Sequence, residues 1–302
     1  MELVLALVLA PLLTGVVRRT KAVVAGRRGP PLLQAYRDLR KLACKSAVYS
    51  HTTTWVFRAG PLIGLSCVIG ALALAPAGGL PAALSFPGDF VLLVYLLGAA
   101  RFATALAALD TGSSLEAMGA SREMAFGVLA ELALLLALAS LVRASGAWSL
   151  AEIYGGLGPE AWLGSAGLLL LVGVALFGIL LVENARMPFD DPTTHLELTM
   201  IHEVMVLDHG GPDLAAIELG SMLKLWLFGG ILAGVVVPAH TGSAWADLLV
   251  HTAATFAVGI AVGLVESAMA RLPLPRVPQM LLAIALLALL SVALVPAWIL
   301  PA

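Results

Sequence analysis

The sequence has few charged residues and almost no cysteine. Only 12% of its 302 residues are charged and its mean hydropathy is +0.99, whereas about a quarter of the residues in soluble domains are charged. A soluble globular protein is therefore excluded. Cys44 and Cys67 are too few for an iron–sulfur cluster or a CxxC redox pair. We accordingly expect no electron relay, metal or cofactor on this chain.

Motifs for nucleotide or metal binding are also missing. No glycine-rich loop precedes a lysine, and the glycines at 155–158 lack the strand and helix that a dinucleotide site requires. His195, His202 and His209 recur every seven residues, which separates successive side chains on a helix by about 10 Å. That spacing is too wide for one zinc ion with bonds of about 2 Å. The net charge of −2 does not indicate a partner, and we expect no nucleic acid.

Long apolar runs dominate the sequence. A hydrocarbon core of about 30 Å needs roughly 20 apolar residues per helix, and eight runs meet this length. They cover 3–24, 55–75, 88–109, 124–142, 163–182, 215–237, 248–270 and 279–300. Glu2 and the basic cluster after the first run disfavour a cleaved signal peptide. The sequence therefore predicts an all-α membrane protein, with eight transmembrane helices in a single polytopic domain over 1–302.

Lysine and arginine lie on one side of these predicted spans. Nine occur between positions 18 and 45, whereas Arg143 falls on the other side. Five more lie in later connections on the first side: Arg58, Arg122, Arg186, Arg271 and Arg276. Because basic residues accumulate in cytoplasmic loops, the first side is predicted to be cytoplasmic. With eight spans, both termini are then predicted to lie outside.

The first connection contains an amphipathic pattern. A helix over 31–45 would place Leu32, Tyr36 and Leu39 near one face, and Arg37 and Lys41 on the other. Such a helix is predicted to lie on the cytoplasmic side, between the first and second spans. It could anchor the chain to anionic lipid headgroups, or it could support a partner subunit. Both interpretations remain open.

Ionisable residues also interrupt the apolar runs. Counted from the predicted cytoplasmic boundaries, Arg101, Glu131 and Lys224 lie about 10–14 Å deep. Four carboxylates lie nearer the cytoplasm, Glu218 and Glu266 at about 5–6 Å and Asp110 and Glu183 at the rim. Charges within a membrane are costly and mark ion or proton routes. These seven residues are therefore candidates for a proton path.

The same charges also permit a structural interpretation. Arg101, Glu131 and Lys224 could neutralise one another as buried ion pairs with no role in transport. The outer halves of the predicted helices hold almost nothing titratable apart from His251. A proton route starting in this chain would therefore have to finish in another subunit.

A charged, proline-broken segment follows the fifth run. Glu183 to Asp190 leads into a connection that contains Pro188, Pro192 and Pro212. Helix-breaking prolines and both charge signs at a membrane exit are typical of a docking loop. Eight residues are predicted to contact a peripheral partner: Arg27, Arg28, Arg37, Arg122, Arg186, Asp190, Asp191 and Glu197.

Several of these motifs resemble one family along the whole chain. They are Arg27-Arg28-Gly29-Pro30, Asp110-Thr111-Gly112-Ser113, Gly119-Ala120-Ser121-Arg122-Glu123, Glu183 to Asp190, and Glu266 to Leu272. In this order they resemble the membrane subunit of formate hydrogenlyase and of energy-converting group-four nickel–iron hydrogenases. That family is related to the eight-helix subunit of respiratory complex I.

The resemblance implies a membrane anchor and proton-coupling subunit in the cytoplasmic (inner) membrane of a prokaryote. The implied partners are peripheral hydrogenase large and small subunits, which would carry the nickel–iron centre and iron–sulfur clusters, and antiporter-like membrane subunits. After Pro-Phe-Asp, however, Thr193 and His195 stand where the family has acids. His195 could still relay protons, because histidine titrates near neutral pH. A quinone-site subunit of a complex I type assembly, a stand-alone ion transporter and an inert scaffold remain alternatives.

Overall fold

The computed structural model describes residues 2–78, 80, 82–190, 200–238 and 241–294, in which the chain forms ten α-helices. They are α1 (Glu2–Val24), α2 (Gln34–Ala43), α3 (Trp55–Leu74), α4 (Asp89–Asp110), α5 (Ser114–Ser145), α6 (Leu150–Gly156), α7 (Pro159–Glu183), α8 (Gly211–Val236), α9 (Ala244–Ala268) and α10 (Val277–Leu294). Short 3₁₀ helices cover Glu203–Val206 and Leu274–Arg276. The long helices pack against one another as a bundle.

Within these residues, eight helices are long and apolar enough to cross a membrane, which confirms the predicted fold class. The largest boundary difference concerns α5, which has 32 residues and begins at Ser114 instead of the predicted 124. Its first turns continue as helix because they contain no proline, and α5 ends at Gly146, which has a φ of 72°. An apolar run therefore marks the apolar part of a helix and not its full length. Residues 295–300 of the predicted last span lie outside the described part.

We call one end of the bundle the basic end, where the connections α1–α3, α4–α5, α7–α8 and α9–α10 lie. The other end is the opposite end. Exposed tryptophans occur near both: Trp55 at the start of α3, Trp148 after α5 and Trp245 at the start of α9. Tryptophan is enriched at membrane–water interfaces, so this placement suits the protein's multi-pass membrane architecture.

The amphipathic segment of the first connection forms α2, shorter at both ends than predicted. It packs against α1 and α8. The hydroxyl of Tyr36 donates a hydrogen bond to the carbonyl of Val8, and the carboxylate of Asp38 lies 3.9 Å from the Arg18 guanidinium. These contacts tie α2 to the surface of the bundle.

Small residues let the spanning helices approach closely. A Cβ added to Gly60 of α3 would lie 2.7 Å from the Ala107 side chain of α4, and one added to Gly263 of α9 would lie 2.8 Å from Thr20 of α1. Glycine and alanine at helix contacts allow the backbone approach that stabilises membrane bundles. Close packing at these positions holds α3 against α4 and α9 against α1.

Candidate functional site

Five charged side chains from four helices meet inside the bundle. The buried guanidinium of Arg101 on α4 donates hydrogen bonds to Glu131 of α5 and to Glu183 at the end of α7. Its Nε lies 3.4 Å from Glu123 of α5, and Nζ of Lys224 on α8 lies 2.8 Å from Glu183. We call these five residues the Arg101 network. It joins two cations to three carboxylates.

The position of Glu183 corrects the sequence-based depth count, which put this residue at the rim. Glu183 is the last residue of α7, but its carboxylate contacts both Arg101 and Lys224. Side chains on a helix tilt toward its N-terminus, so the carboxylate points from the basic end back into the bundle. Lys224 lies on α8, which runs the other way, and its side chain tilts toward Glu183.

Two glycines make room for the network. A Cβ at Gly127 of α5 would overlap the Arg101 guanidinium, and one at Gly98 of α4 would lie 2.8 Å from Oε1 of Glu131. Larger side chains at either position would force the Arg101–Glu131 contact to move. The α4–α5 contact therefore fixes where the guanidinium lies.

A second charged group lies nearer the basic end. The side chain of Glu266, the third-last residue of α9, is fully buried between Arg186 and Lys21. Nη1 of Arg186 lies 3.3 Å from one carboxylate oxygen. The Lys21 ammonium lies 3.0 Å from the other oxygen without a hydrogen-bond alignment. We call these three residues the Glu266 network.

A cavity of about 260 Å³ connects the two networks. It lies between α1, α3, α4, α8 and the end of α9, with room for several water molecules. Its charged lining residues are Arg18, Lys21, Arg101, Glu123, Glu183, Arg186, Asp190, Glu203, Glu218, Lys224 and Glu266. Arg101 therefore borders the cavity and also reaches Glu131, which does not line it. The arrangement provides a charged cavity, large enough for water, that reaches from the basic end toward the middle of the bundle.

Comparison with known proteins identifies the family. The profile of the NADH dehydrogenase family matches residues 1–297. The chain belongs to this family. Formate hydrogenlyase subunit 4 of Escherichia coli (strain K12) is 32% identical over 276 residues, 89% of each chain. Hydrogenase-4 component C of the same organism is 32% identical over 239 residues, 78% of this chain and 74% of its own.

A solved structure shows the same fold. A chain of the membrane-bound sulfane sulfur reductase, an archaeal respiratory membrane complex, superimposes with a TM-score of 0.86 and 20% sequence identity, covering 97% of both chains. Together with the sequence relatives, this likeness confirms the family resemblance that the motifs indicated.

Most of the predicted proton-path residues lie close together in the structure. Arg101, Glu131, Glu183 and Lys224 belong to the Arg101 network, whereas Glu266 forms the second network. Glu218 lines the cavity between them. Their role in proton transfer remains a prediction.

Two further candidates lie apart from this group. Asp110 is occupied in capping α3, where its carboxylate accepts hydrogen bonds from the backbone N–H groups of Thr54 at 2.6 Å and Phe57 at 3.2 Å. His195 lies outside the described residues. The structure therefore gives a structural task to Asp110 and leaves His195 as a prediction from sequence.

The eight predicted docking residues divide into three groups. Arg27, Arg28 and Arg37 are exposed at the basic end. Three others bind within the chain: Arg122 donates to the carbonyl of Met200 at 3.1 Å, Arg186 pairs with Glu266, and Asp190 pairs with Arg271 at 2.7 Å. Asp191 and Glu197 lie outside the described residues. Docking itself stays a prediction for all eight.

Sequence reasoning missed Glu123 and Lys21 as members of these networks. Glu123 precedes Glu131 by eight residues on α5, so a helical projection would have placed both carboxylates near one face. Lys21 belongs to the nine basic residues between positions 18 and 45, which the sequence assigned to the first connection. No local pattern shows that Lys21 meets Glu266, which lies 245 positions later in the chain.

Proposed function

We propose that this chain is the membrane anchor and proton-coupling subunit of a formate hydrogenlyase-like or energy-converting hydrogenase complex. Its peripheral electron-transfer arm would dock at the basic end. The membership of the chain in the NADH dehydrogenase family, and its identity with two hydrogenase-type subunits over most of their length, support this assignment. The observation that carries the coupling role is the Arg101 network beside the cavity.

The chemistry of the network suits proton coupling. Arg101 contacts three carboxylates from two helices, and Lys224 shares one of them. A proton that arrives at any of these carboxylates removes one negative charge and favours a different pairing of the two cations. Redox events in a docked arm could drive such a rearrangement through the cavity.

The proposed orientation places the basic end in the cytoplasm, with both termini outside, in the inner membrane of a prokaryote. The positive-inside rule supports it. Cysteine variants at Arg37, Arg122 and Arg276 should escape an impermeant thiol reagent added to intact cells. Labelling of these cysteines from outside would overturn the orientation.

The proposed partners are peripheral hydrogenase large and small subunits, which would carry the nickel–iron centre and the iron–sulfur clusters, and antiporter-like membrane subunits that continue the proton route. Gentle detergent extraction of the native complex, followed by mass spectrometry, tests this. A preparation without hydrogenase-type subunits would contradict the assignment.

Glu131→Gln tests the coupling role. We expect a complex that keeps its peripheral arm and still evolves hydrogen from an artificial donor, but takes up at least about tenfold fewer protons into sealed vesicles, because the amide cannot carry a proton. The matched control is Glu160→Gln, since Glu160 is exposed in the first turn of α7. Full proton uptake in an intact Glu131→Gln complex would remove Glu131 from the path.

The cavity supports a second candidate function, a quinone-site subunit of a complex I type assembly. Apolar side chains of α3, namely Pro61, Leu65 and Val68, line it together with the charged residues, and an apolar pocket with a few polar groups is typical of small-molecule sites. Quinone-dependent electron transfer by the purified complex would favour this candidate. Hydrogen evolution without any quinone would favour the first.

A further inference from the structure

Glu131 differs from its partners in exposure. Its side chain is 32% exposed, compared with 18% for Glu123 and 1% for Glu183. Glu131 lies seventeen residues after Ser114 and fourteen before Ser145 on α5, about 25 and 21 Å from the two helix ends. A carboxylate therefore faces sideways out of the bundle at the level of the hydrocarbon core.

The exposed side chains around this carboxylate are apolar. Exposed side chains form one stripe along α4 at Tyr95, Ala99 and Phe102 and another along α5 at Ala125, Val128 and Leu132. Gly98 lies between the stripes and touches the Glu131 carboxylate. The stripes include the small residues Ala99 and Ala125, and small residues at a helix surface allow another transmembrane helix to approach closely.

The charges of the network do not balance. Arg101 and Lys224 contribute two positive charges, whereas Glu123, Glu131 and Glu183 contribute three negative charges. One negative charge remains in excess, and Glu131 is the most exposed of the three carboxylates. Lipid tails offer neither a cation nor a hydrogen-bond donor, so an ionised Glu131 facing lipid would be costly.

We propose that the α4–α5 face around Glu131 is the docking surface for a transmembrane helix of a neighbouring subunit, and that this helix supplies a lysine or arginine at the depth of Glu131. The proposal rests on the proposed function, because it requires a multi-subunit membrane complex. Arg101 then links the cavity to the docking surface, because it lines the cavity and also binds the Glu131 carboxylate at that surface.

Site-specific photo-crosslinking in native membranes tests the surface. The variant Val128→benzoylphenylalanine places the probe three residues before Glu131, and Ile260→benzoylphenylalanine on α9 places it on an exposed site of similar depth without a nearby exposed charge. We expect the Val128 probe to give at least about tenfold more subunit cross-link than the Ile260 probe. Its product should contain a transmembrane peptide with lysine or arginine within one helical turn of the linked residue.

The role of the charge is tested by variants of Glu131 in the same assay. Glu131→Gln should reduce the Val128 cross-link and the amount of co-purifying neighbour at least about fivefold, whereas Glu131→Asp should retain both. A cross-link to lipid only, to a second copy of this chain, or to a helix without a basic residue would overturn the proposal. So would an unchanged cross-link in Glu131→Gln.

The two proposals can fail separately. Hydrogenase large and small subunits in the same preparation test the proposed function. If they are present and the Val128 probe captures no membrane subunit, the docking surface is wrong. If they are absent and the probe captures a basic transmembrane helix, the docking surface stands and the hydrogenase assignment fails.

Discussion

Two buried aspartates at the opposite end and two buried glutamates at the basic end have different partners. At the opposite end, Asp89 accepts hydrogen bonds from the backbone N–H of Leu150 at 2.8 Å and the hydroxyl of Ser149 at 2.9 Å. Asp247 likewise accepts bonds from the N–H and hydroxyl of Thr241, both at 2.7 Å. At the basic end, Glu183 and Glu266 instead contact the side chains of arginine and lysine.

This difference separates fixed from rearrangeable interactions. A backbone N–H has one position and cannot give up its proton, so the aspartates at the opposite end hold helix ends in place. Arginine and lysine lie on long side chains of several helices and can exchange one carboxylate for another. The rearrangeable pairs of Glu183 and Glu266 therefore lie in the half of the bundle that the cavity reaches.

The largest expected effect tests this contrast directly. Glu183→Gln leaves Arg101 and Lys224 buried with one carboxylate fewer, which should lower the free energy of unfolding by about 3–5 kcal/mol. Asp89→Asn keeps an amide oxygen as acceptor and should cost less than about 1 kcal/mol. Unfolding in mixed micelles with increasing denaturing detergent measures both. Equal losses would mean that the two classes of carboxylate are equally fixed.

A smaller effect is expected within the basic end. Arg186→Glu places a second carboxylate beside the buried Glu266, whose contact with Lys21 remains. Because like charges repel, the free energy of unfolding should fall by about 2 kcal/mol. Arg28→Glu changes an exposed residue, so the free energy of unfolding should stay within about 0.5 kcal/mol. We expect Arg28→Glu to weaken retention of the peripheral arm on membranes instead.

Both variants need both measurements, unfolding and arm retention. If Arg186→Glu releases the arm while the free energy of unfolding is unchanged, then Arg186 is a docking contact and its pair with Glu266 is unimportant. If Arg28→Glu retains the arm fully, the arm does not contact that arginine.

The smallest expected effect concerns pH. His209, just before α8, is buried and stacks on Phe57 with ring centroids 3.9 Å apart. Burial lowers the pKa of His209 below its ordinary 6.5, and Asp213 and Asp208 oppose this only partly. The stabilisation of the neutral ring is therefore present above pH 6.5 and is lost as the pH falls through the pKa of the folded protein.

His209→Phe keeps the stacked ring but cannot take up a proton. The stability of this variant should therefore fall less than that of the wild type between pH 7 and pH 5. Thermal unfolding followed by tryptophan fluorescence between pH 7 and pH 5 measures it. His51→Gln is the control, because His51 is exposed. A wild-type slope in His209→Phe would show that other groups cause the pH dependence.

Much of the fold was predictable because local composition decides it. Each run of about 20 apolar residues must form a helix in a bilayer, since every backbone N–H and C=O group needs a partner there. The runs gave eight spans, and the structure has eight such helices among its described residues. The start of α5 was missed because its first ten residues mix polar and apolar side chains, so they form helix without forming an apolar run.

The site was predictable only as a set of residue types at approximate depths. The sequence singled out Arg101, Glu131 and Lys224, because charges in apolar runs are rare and costly. It did not show that Glu183 lies between Arg101 and Lys224, because hydropathy measures a position along one helix and not the direction of a side chain.

By itself, the sequence determined the membrane class, the eight helices and the family, since these depend on composition and on motifs within short segments. The tertiary structure alone decided the partners: Lys21 with Glu266, Arg101 with three carboxylates, and Asp110 with the N-terminus of α3. Those contacts join residues tens to hundreds of positions apart. They depend on how helices pack and which way their side chains tilt, which no single segment encodes.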